Sequence, residues 1–176
     1  GVKIFQLRDK TSSVQEIISF SKKILKITQN KALYIINDRV DIAFACGADG
    51  VHLGQEDISV AAARKILGSK AIIGKSCQTL AHVKEAAKEN IDYIGFGSIF
   101  TTLTKPEREP MNLKILQKIL QQTSLPVFPI GGITLRNVFI LQALGFRRAA
   151  ICRAICQSPQ IKEDIRKLRE QVFDYK

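Results

Sequence analysis

The stretch Ala32-Leu33-Tyr34-Ile35-Ile36-Asn37-Asp38-Arg39-Val40-Asp41-Ile42-Ala43-Phe44-Ala45-Cys46-Gly47-Ala48-Asp49-Gly50-Val51-His52-Leu53 contains a strand, a helix and a second strand in succession. Ala32–Ile36 is a short apolar run rich in β-branched and aromatic residues, Val40–Cys46 has a helical pattern that Gly47 can stop, and Gly50–Leu53 is again strand-like. The rhythm extends in both directions. Further strands are expected at Val2–Leu7, Ala71–Gly74, Tyr93–Phe96, Pro126–Ile130 and Ala149–Cys152, and further helices at Val14–Thr28, Val60–Leu67, Leu80–Glu89, Leu113–Gln122, Leu135–Leu144 and Ile161–Phe173. Strands separated by helices are parallel and joined by right-handed crossovers, since antiparallel neighbours need only tight turns. Nearly continuous apolar strands agree, because such a sheet is covered on both faces. Ser13, Ser59 and Thr79 stand where N-caps are wanted, and Gly47, Gly68 and Gly145 where helices stop.

The chain has 176 residues, 45% of them hydrophobic, which suits one core and a single domain over residues 1–176. No run approaches the ~20 apolar residues of a membrane span, and the opening is strand-like rather than a signal peptide, so a cytoplasmic protein is expected. Cys46, Cys77, Cys152 and Cys156 lack the close pairing of a zinc site and read as buried thiols. The formal charge of +11 calls for an anionic partner. With no basic stripe interleaved with exposed aromatics and no nucleic-acid motif, a small phosphate substrate is favoured over nucleic acid.

Seven strand-like segments in this length read as a compact α/β barrel of the TIM (β/α)8 type from which one unit is missing, and the opening Gly1-Val2-Lys3-Ile4-Phe5 suggests the first. A doubly wound sheet is the alternative, but no glycine-rich dinucleotide fingerprint follows an early strand. A barrel short of one unit should leave unpaired edges at the strands ending in Leu7 and Cys152. Those edges invite a further segment, a second copy in a homo-oligomer, or collapse of the flanking strands.

In barrels of this kind chemistry gathers at the C-terminal ends of strands. Gln6, Arg8 and Lys10 leave the first strand on one side, an amide and two cations suited to a pyrophosphate; the plainer reading is an exposed charged strand end. Asp38 follows the second strand and Asp57 the third. Singly each is a turn or cap residue, while together they make a pair of carboxylates of the kind Mg²⁺ uses alongside water and substrate oxygens. His52, inside a strand, reads as a packed or hydrogen-bonded residue rather than a ligand and is given no catalytic role. Strand four ends in Gly74-Lys75-Ser76-Cys77. The loop Thr101-Thr102-Leu103-Thr104-Lys105-Pro106 offers hydroxyls and a cation, or is an ordinary solvated loop. Gly131-Gly132 allows close backbone approach to a phosphate, or simply makes a tight turn.

Taken in order, Gln6-Leu7-Arg8-Asp9-Lys10, Ile36-Asn37-Asp38-Arg39, Gly47 through Gln55, Ile73-Gly74-Lys75-Ser76, Thr102-Leu103-Thr104-Lys105 and Ile130-Gly131-Gly132-Ile133 resemble the signatures of the thiamine phosphate synthase family over nearly the whole chain. The resemblance implies a Mg²⁺-dependent transferase of thiamine biosynthesis that joins a hydroxymethylpyrimidine pyrophosphate to a thiazole phosphate. By matching position, Arg8, Lys10, Asn37, Ser76 and Lys105 would hold the pyrophosphate, with Arg8, Ser76 and Lys105 acting on it as it leaves. Asp38 and Asp57 would hold Mg²⁺. Gln6 would orient the pyrimidine, and Thr102, Thr104 and Gly132 would face the thiazole phosphate. The chain departs from the family at Arg148 and Arg153, where glycine and serine are usual, and at Thr101, where proline is; Arg153 would bind the thiazole phosphate or fill its place. Two rivals share the barrel: a thiazole tautomerase, marked by a histidine where this chain has Gly97-Ser98-Ile99, and a non-catalytic barrel that binds thiamine precursors.

Overall fold

A computed structural model describes residues 2–29, 31–101 and 111–172. Residues 2–75 with 89–92 form one compact unit, and residues 76–88 with the described residues from 93 onward form another. Strands follow one another in chain order, and every registered pair is parallel.

In the first unit β1 (Ile4–Leu7), β2 (Leu33–Asn37), β3 (Gly50–Leu53) and β4 (Ile72–Cys77, which continues into the second unit) alternate with α1 (Val14–Thr28), α2 (Val40–Cys46) and α3 (Val60–Leu67). The register runs Gln6–Ile35–Gly50–Ile72, then Leu7–Ile36–Val51–Ile73, then Asn37–His52–Gly74. Residues level with one another point to the same side, and successive levels to opposite sides. Tyr34 identifies the helix side: its hydroxyl is 2.9 Å from Ser21 Oγ of α1. Leu7, Ile36, Val51 and Ile73 share that side, while Gln6, Ile35, Asn37, His52 and Gly74 take the other. Ile35, Ile36, Val51 and Leu53 are all buried, so both faces are covered, as the unbroken apolar runs require. His52 is buried as well, in keeping with a packing role. Gly50 is dictated by crowding, since a Cβ there would lie 1.8 Å from the Ile72 carbonyl oxygen.

An aspartate just before a strand recurs as a clamp. Asp49 Oδ2 accepts the Tyr34 N–H at 2.7 Å, and Asp92 Oδ2 accepts the Ile73 N–H at 2.7 Å. Asp49 thereby extends the pairing of β2 and β3 beyond their regular ladder.

The second unit contains α4 (Leu80–Ala86), β5 (Tyr93–Phe96), α5 (Leu113–Gln122), β6 (Val127–Pro129), α6 (Val138–Ala143), α7 (Arg153–Cys156) and α8 (Ile161–Val172). The Gly97 N–H reaches the Cys77 carbonyl at the end of β4, and Ile94, Gly95 and Phe96 pair with Val127, Phe128 and Pro129. Its core is built on Phe96, Ile99, Leu116, Ile119, Leu141 and Phe146.

The expected strand Ala149–Cys152 is reduced to a single bridge between Ile130 and Ala150. The Cys152 carbonyl accepts the N–H groups of Ile155 and Cys156, so the chain turns at once into α7, which the sequence did not announce. Cys46 and Cys77 are buried, but Cys152 and Cys156 are exposed, correcting the expectation of four buried thiols. The helix expected from Leu135 begins at Val138, because Thr134 and Asn137 form a turn closed by the Thr134 N–H on Asn137 Oδ1 at 2.8 Å. The helix expected over Leu80–Glu89 ends at Ala86. Phe173 lies outside the described residues. No described helix is long and apolar enough to cross a membrane.

Candidate functional site

The first unit gathers polar groups where β1, β2 and β3 end. Alternation puts Gln6 and Asn37 on the side away from the helices, with Asn37 two levels beyond Gln6. After β1, Asp9 folds the chain back: its Oδ1 accepts the N–H groups of Thr11 and Ser12, both at 2.9 Å. Those N–H groups, Ser12 first, hold the Asp9 carboxyl well below the usual range. The turn presents Arg8 and Lys10, both exposed, on either side of Asp9.

Asp38 follows β2 in a left-handed conformation, φ 64°, a region that Asp tolerates better than most residues. Its N–H donates to the His52 carbonyl at 2.8 Å, which fixes the sharp exit from the sheet. Its carboxylate forms an ion pair with Lys10 Nζ. Burial works against the ionised form of Asp38, yet the Lys10 hydrogen bond, a bond with Asp57 and the charges of Lys10 and Arg8 outweigh it and lower its pKa. Asp57 is pushed the other way: burial raises its pKa and neighbouring Asp38 adds to the effect, against an opposing Gly54 N–H. That N–H donates to Asp57 Oδ2 at 2.6 Å. A Cβ at Gly54 would be 2.9 Å from the same oxygen, so the glycine admits the carboxylate. Arg8, Lys10, Asp38 and Asp57 thus form one electrostatic cluster.

Two hard carboxylates from adjacent strand ends fit Mg²⁺ by donor chemistry. Among the described residues no group of three or more His, Cys, Asp or Glu gathers; a Mg²⁺ held by one or two carboxylates typically completes its shell with water and substrate oxygens.

Alternation along β4 separates two residues that the sequence leaves side by side. Lys75 takes the helix side and pairs with Glu89 at 3.3 Å, while Ser76, half-buried, takes the opposite one. In the second unit Gly131 and Gly132 have φ of 107° and 61°. A Cβ on Gly132 would lie 2.3 Å from the Thr101 carbonyl oxygen, and one on Gly131 2.2 Å from Ser98 Oγ. Both positions therefore demand glycine. Asn137 Nδ2 donates to the Gly132 carbonyl at 2.9 Å and backs this turn. Arg153 opens α7, is exposed and bonds Gln157 Oε1 at 3.3 Å; Arg148 is exposed too. The Ile130–Ala150 bridge brings the segment leading to Arg153 alongside the one leading to Gly132. Thr102, Thr104 and Lys105 lie outside the described residues.

Asp9, Gly54 and Asn137 escape a reading from residue type, because each acts through the backbone. The only available signal was that Asp9 and Gly54 stand inside otherwise recognisable motifs.

The model of the family described as thiamine monophosphate synthase matches residues 1–155. A thiamine-phosphate synthase of Prochlorococcus marinus (strain MIT 9313) is 40% identical over 159 residues, 90% of this chain and 45% of the relative. The chain thus spans about half the length of that curated relative, as it does of several others. A thiamine-phosphate synthase of Ruminiclostridium cellulolyticum is 40% identical over 171 residues, 97% of this chain and 81% of the relative. Among solved structures, a thiamine phosphate pyrophosphorylase from Pyrococcus furiosus superposes with a TM-score of 0.88 at 33% identity, covering 97% of this chain and 82% of that one. The ordered motifs, the parallel α/β fold and these likenesses lead to one conclusion: the chain belongs to the thiamine monophosphate synthase family.

Proposed function

We propose that the chain joins hydroxymethylpyrimidine pyrophosphate to thiazole phosphate, giving thiamine phosphate and pyrophosphate, on a (β/α)8-type barrel in the cytoplasm. The cluster of Arg8, Lys10, Asp38 and Asp57 at neighbouring strand ends carries the reading, and the family's relatives named thiamine-phosphate synthase support it.

The C–O bond between the pyrimidine methylene and the pyrophosphate breaks with its electron pair leaving on the pyrophosphate, and the thiazole nitrogen supplies the pair for the new C–N bond. Negative charge therefore grows on the leaving group, and the protein's task is to place positive charge there in advance. Asp38 and Asp57 would hold Mg²⁺, which would supply part of that charge when bound. Arg8 grips pyrophosphate oxygens with its fork, Lys10 and Lys105 add point charges, and Asn37 and Ser76 donate hydrogen bonds. Gln6 orients the pyrimidine. Gly132, with Thr102 and Thr104, receives the thiazole phosphate through short donors, and Arg153 adds a cation that serine would lack. No side-chain nucleophile is required.

The deciding experiment incubates the protein with both precursors and Mg²⁺ and follows thiamine phosphate and pyrophosphate together. Their stoichiometric appearance is expected; no thiamine phosphate from an otherwise folded protein overturns the reading. Isomerisation of a thiazole carboxylate phosphate without the pyrimidine substrate would favour the tautomerase instead.

A further inference from the structure

Two partners lay claim to the charge of Lys10. Its ammonium forms an ion pair with Asp38. On the reading proposed above, from which this inference starts, the same ammonium serves the pyrophosphate. We propose that Lys10 is a tethered counter-ion that changes partners: it neutralises Asp38 until a divalent cation replaces it, and then turns to the pyrophosphate, so that cation and pyrophosphate reinforce each other's binding.

The local charges set up this exchange. Asp38 and Asp57 lie close enough to affect each other's ionisation, and Lys10 bonds directly to Asp38. One ammonium answers one carboxylate, whereas a divalent cation answers both and can displace it. Lys10 keeps 53% of its side chain exposed against 20% for Asp38, so the lysine has room to swing while its partner stays in place. A lysine suits the exchange because its point charge sits on a flexible four-carbon stem; an arginine fork would hold a carboxylate in a fixed bidentate geometry. The Asp9 turn anchors the backbone on both sides of Lys10, leaving the movement to the side chain.

Because Lys10 competes with the cation for Asp38 and assists the pyrophosphate, the two ligands are linked reciprocally. Removing Lys10 should therefore shift their affinities in opposite directions, which loss of a purely structural residue or of a simple pyrophosphate contact would not do. The test is calorimetric titration of the whole chain, native and Lys10→Met, first with Mg²⁺ alone and then with inorganic pyrophosphate at saturating Mg²⁺. Lys10→Met is expected to bind Mg²⁺ alone about three- to tenfold more tightly, the range set by losing a partly exposed charge-assisted bond. It should bind pyrophosphate at least about tenfold more weakly. Lys10→Arg, which keeps the charge, should show no tightening for Mg²⁺. Equal or weaker Mg²⁺ binding by Lys10→Met overturns the exchange while leaving the cation site standing. Failure of the native chain to bind Mg²⁺ through Asp57, shown by identical titrations of native and Asp57→Ala, overturns the cation site and the exchange with it.

Discussion

Asp57 owes its position to a residue without a side chain. The Gly54 N–H meets its carboxylate at 2.6 Å, in the space that a Cβ would crowd. Gly54→Ala should displace the carboxylate and weaken Mg²⁺ binding about tenfold with little change in melting temperature, read by metal titration beside a thermal melt; unchanged Mg²⁺ affinity would remove Gly54 from the site. Asp57→Ala should cripple turnover and flatten its dependence on Mg²⁺, and full activity in EDTA would contradict the assignment. Lys105→Ala should lower kcat by about one to three orders of magnitude, as expected for one preorganised charge on a leaving group. An effect confined to the KM for thiazole phosphate would count against that role. At this scale much of the candidate site was legible: Arg8, Lys10, Asp38 and Asp57 are charged residues just past apolar runs, where barrel chemistry collects. Gly54 and Asp9 were not legible as positioning residues, since a backbone hydrogen bond leaves no mark on residue type.

Helix α1 shows how closely local chemistry can specify an element. Ser13 caps it, and Glu16 completes the capping box by accepting the Ser13 hydroxyl at 2.7 Å and its N–H at 2.9 Å. Ser13→Ala should cost about 1 kcal/mol, seen as a fall of about 2–4 °C in the melting temperature. The Ser13 hydroxyl and N–H hold the Glu16 pKa below its ordinary 4.5. A depressed acid stabilises the fold above its unfolded pKa, and that contribution is lost as pH falls through the folded value. The melting-temperature gap between native protein and Glu16→Ala should thus be full at pH 7 and close on acidification below about pH 4. A gap that stays constant into acid would mean that ionised Glu16 does not matter. The caps at Ser13, Ser59 and Thr79 follow from sequence because capping is a contact over three residues. Helix α7 does not, because its single turn is too short for a periodic pattern and depends on where the Ile130–Ala150 bridge delivers the chain.

At the scale of the molecule, Arg64 ties separate parts of the first unit together. From α3 its guanidinium donates to the carbonyls of Ser69, Ala71 and Asn90 and to the Asp92 carboxylate, whose own oxygen also takes the Ile73 N–H. Arg64→Ala should cost about 1–2 kcal/mol, chiefly by leaving the half-buried Ala71 carbonyl without its donor, measured by denaturant unfolding; a loss below about 0.5 kcal/mol would show the clamp to be dispensable. The parallel α/β class, most element boundaries and the ends at which polar residues collect were legible in residue order alone. Periodicity, capping and apolar runs are short-range properties, and strands such as Ile35–Ile36 and Val51–Leu53 announce their two-sided burial directly. Tertiary structure alone decided which neighbours share a face and which groups meet. Lys75 turns to Glu89 and Ser76 away from it; Asp49, Asp92 and Arg64 become clamps; Lys10 finds Asp38 across 28 positions of chain. The reason is physical: register and long-range electrostatics are set by the summed packing of strands distant in sequence, and a one-residue slip would reverse every face.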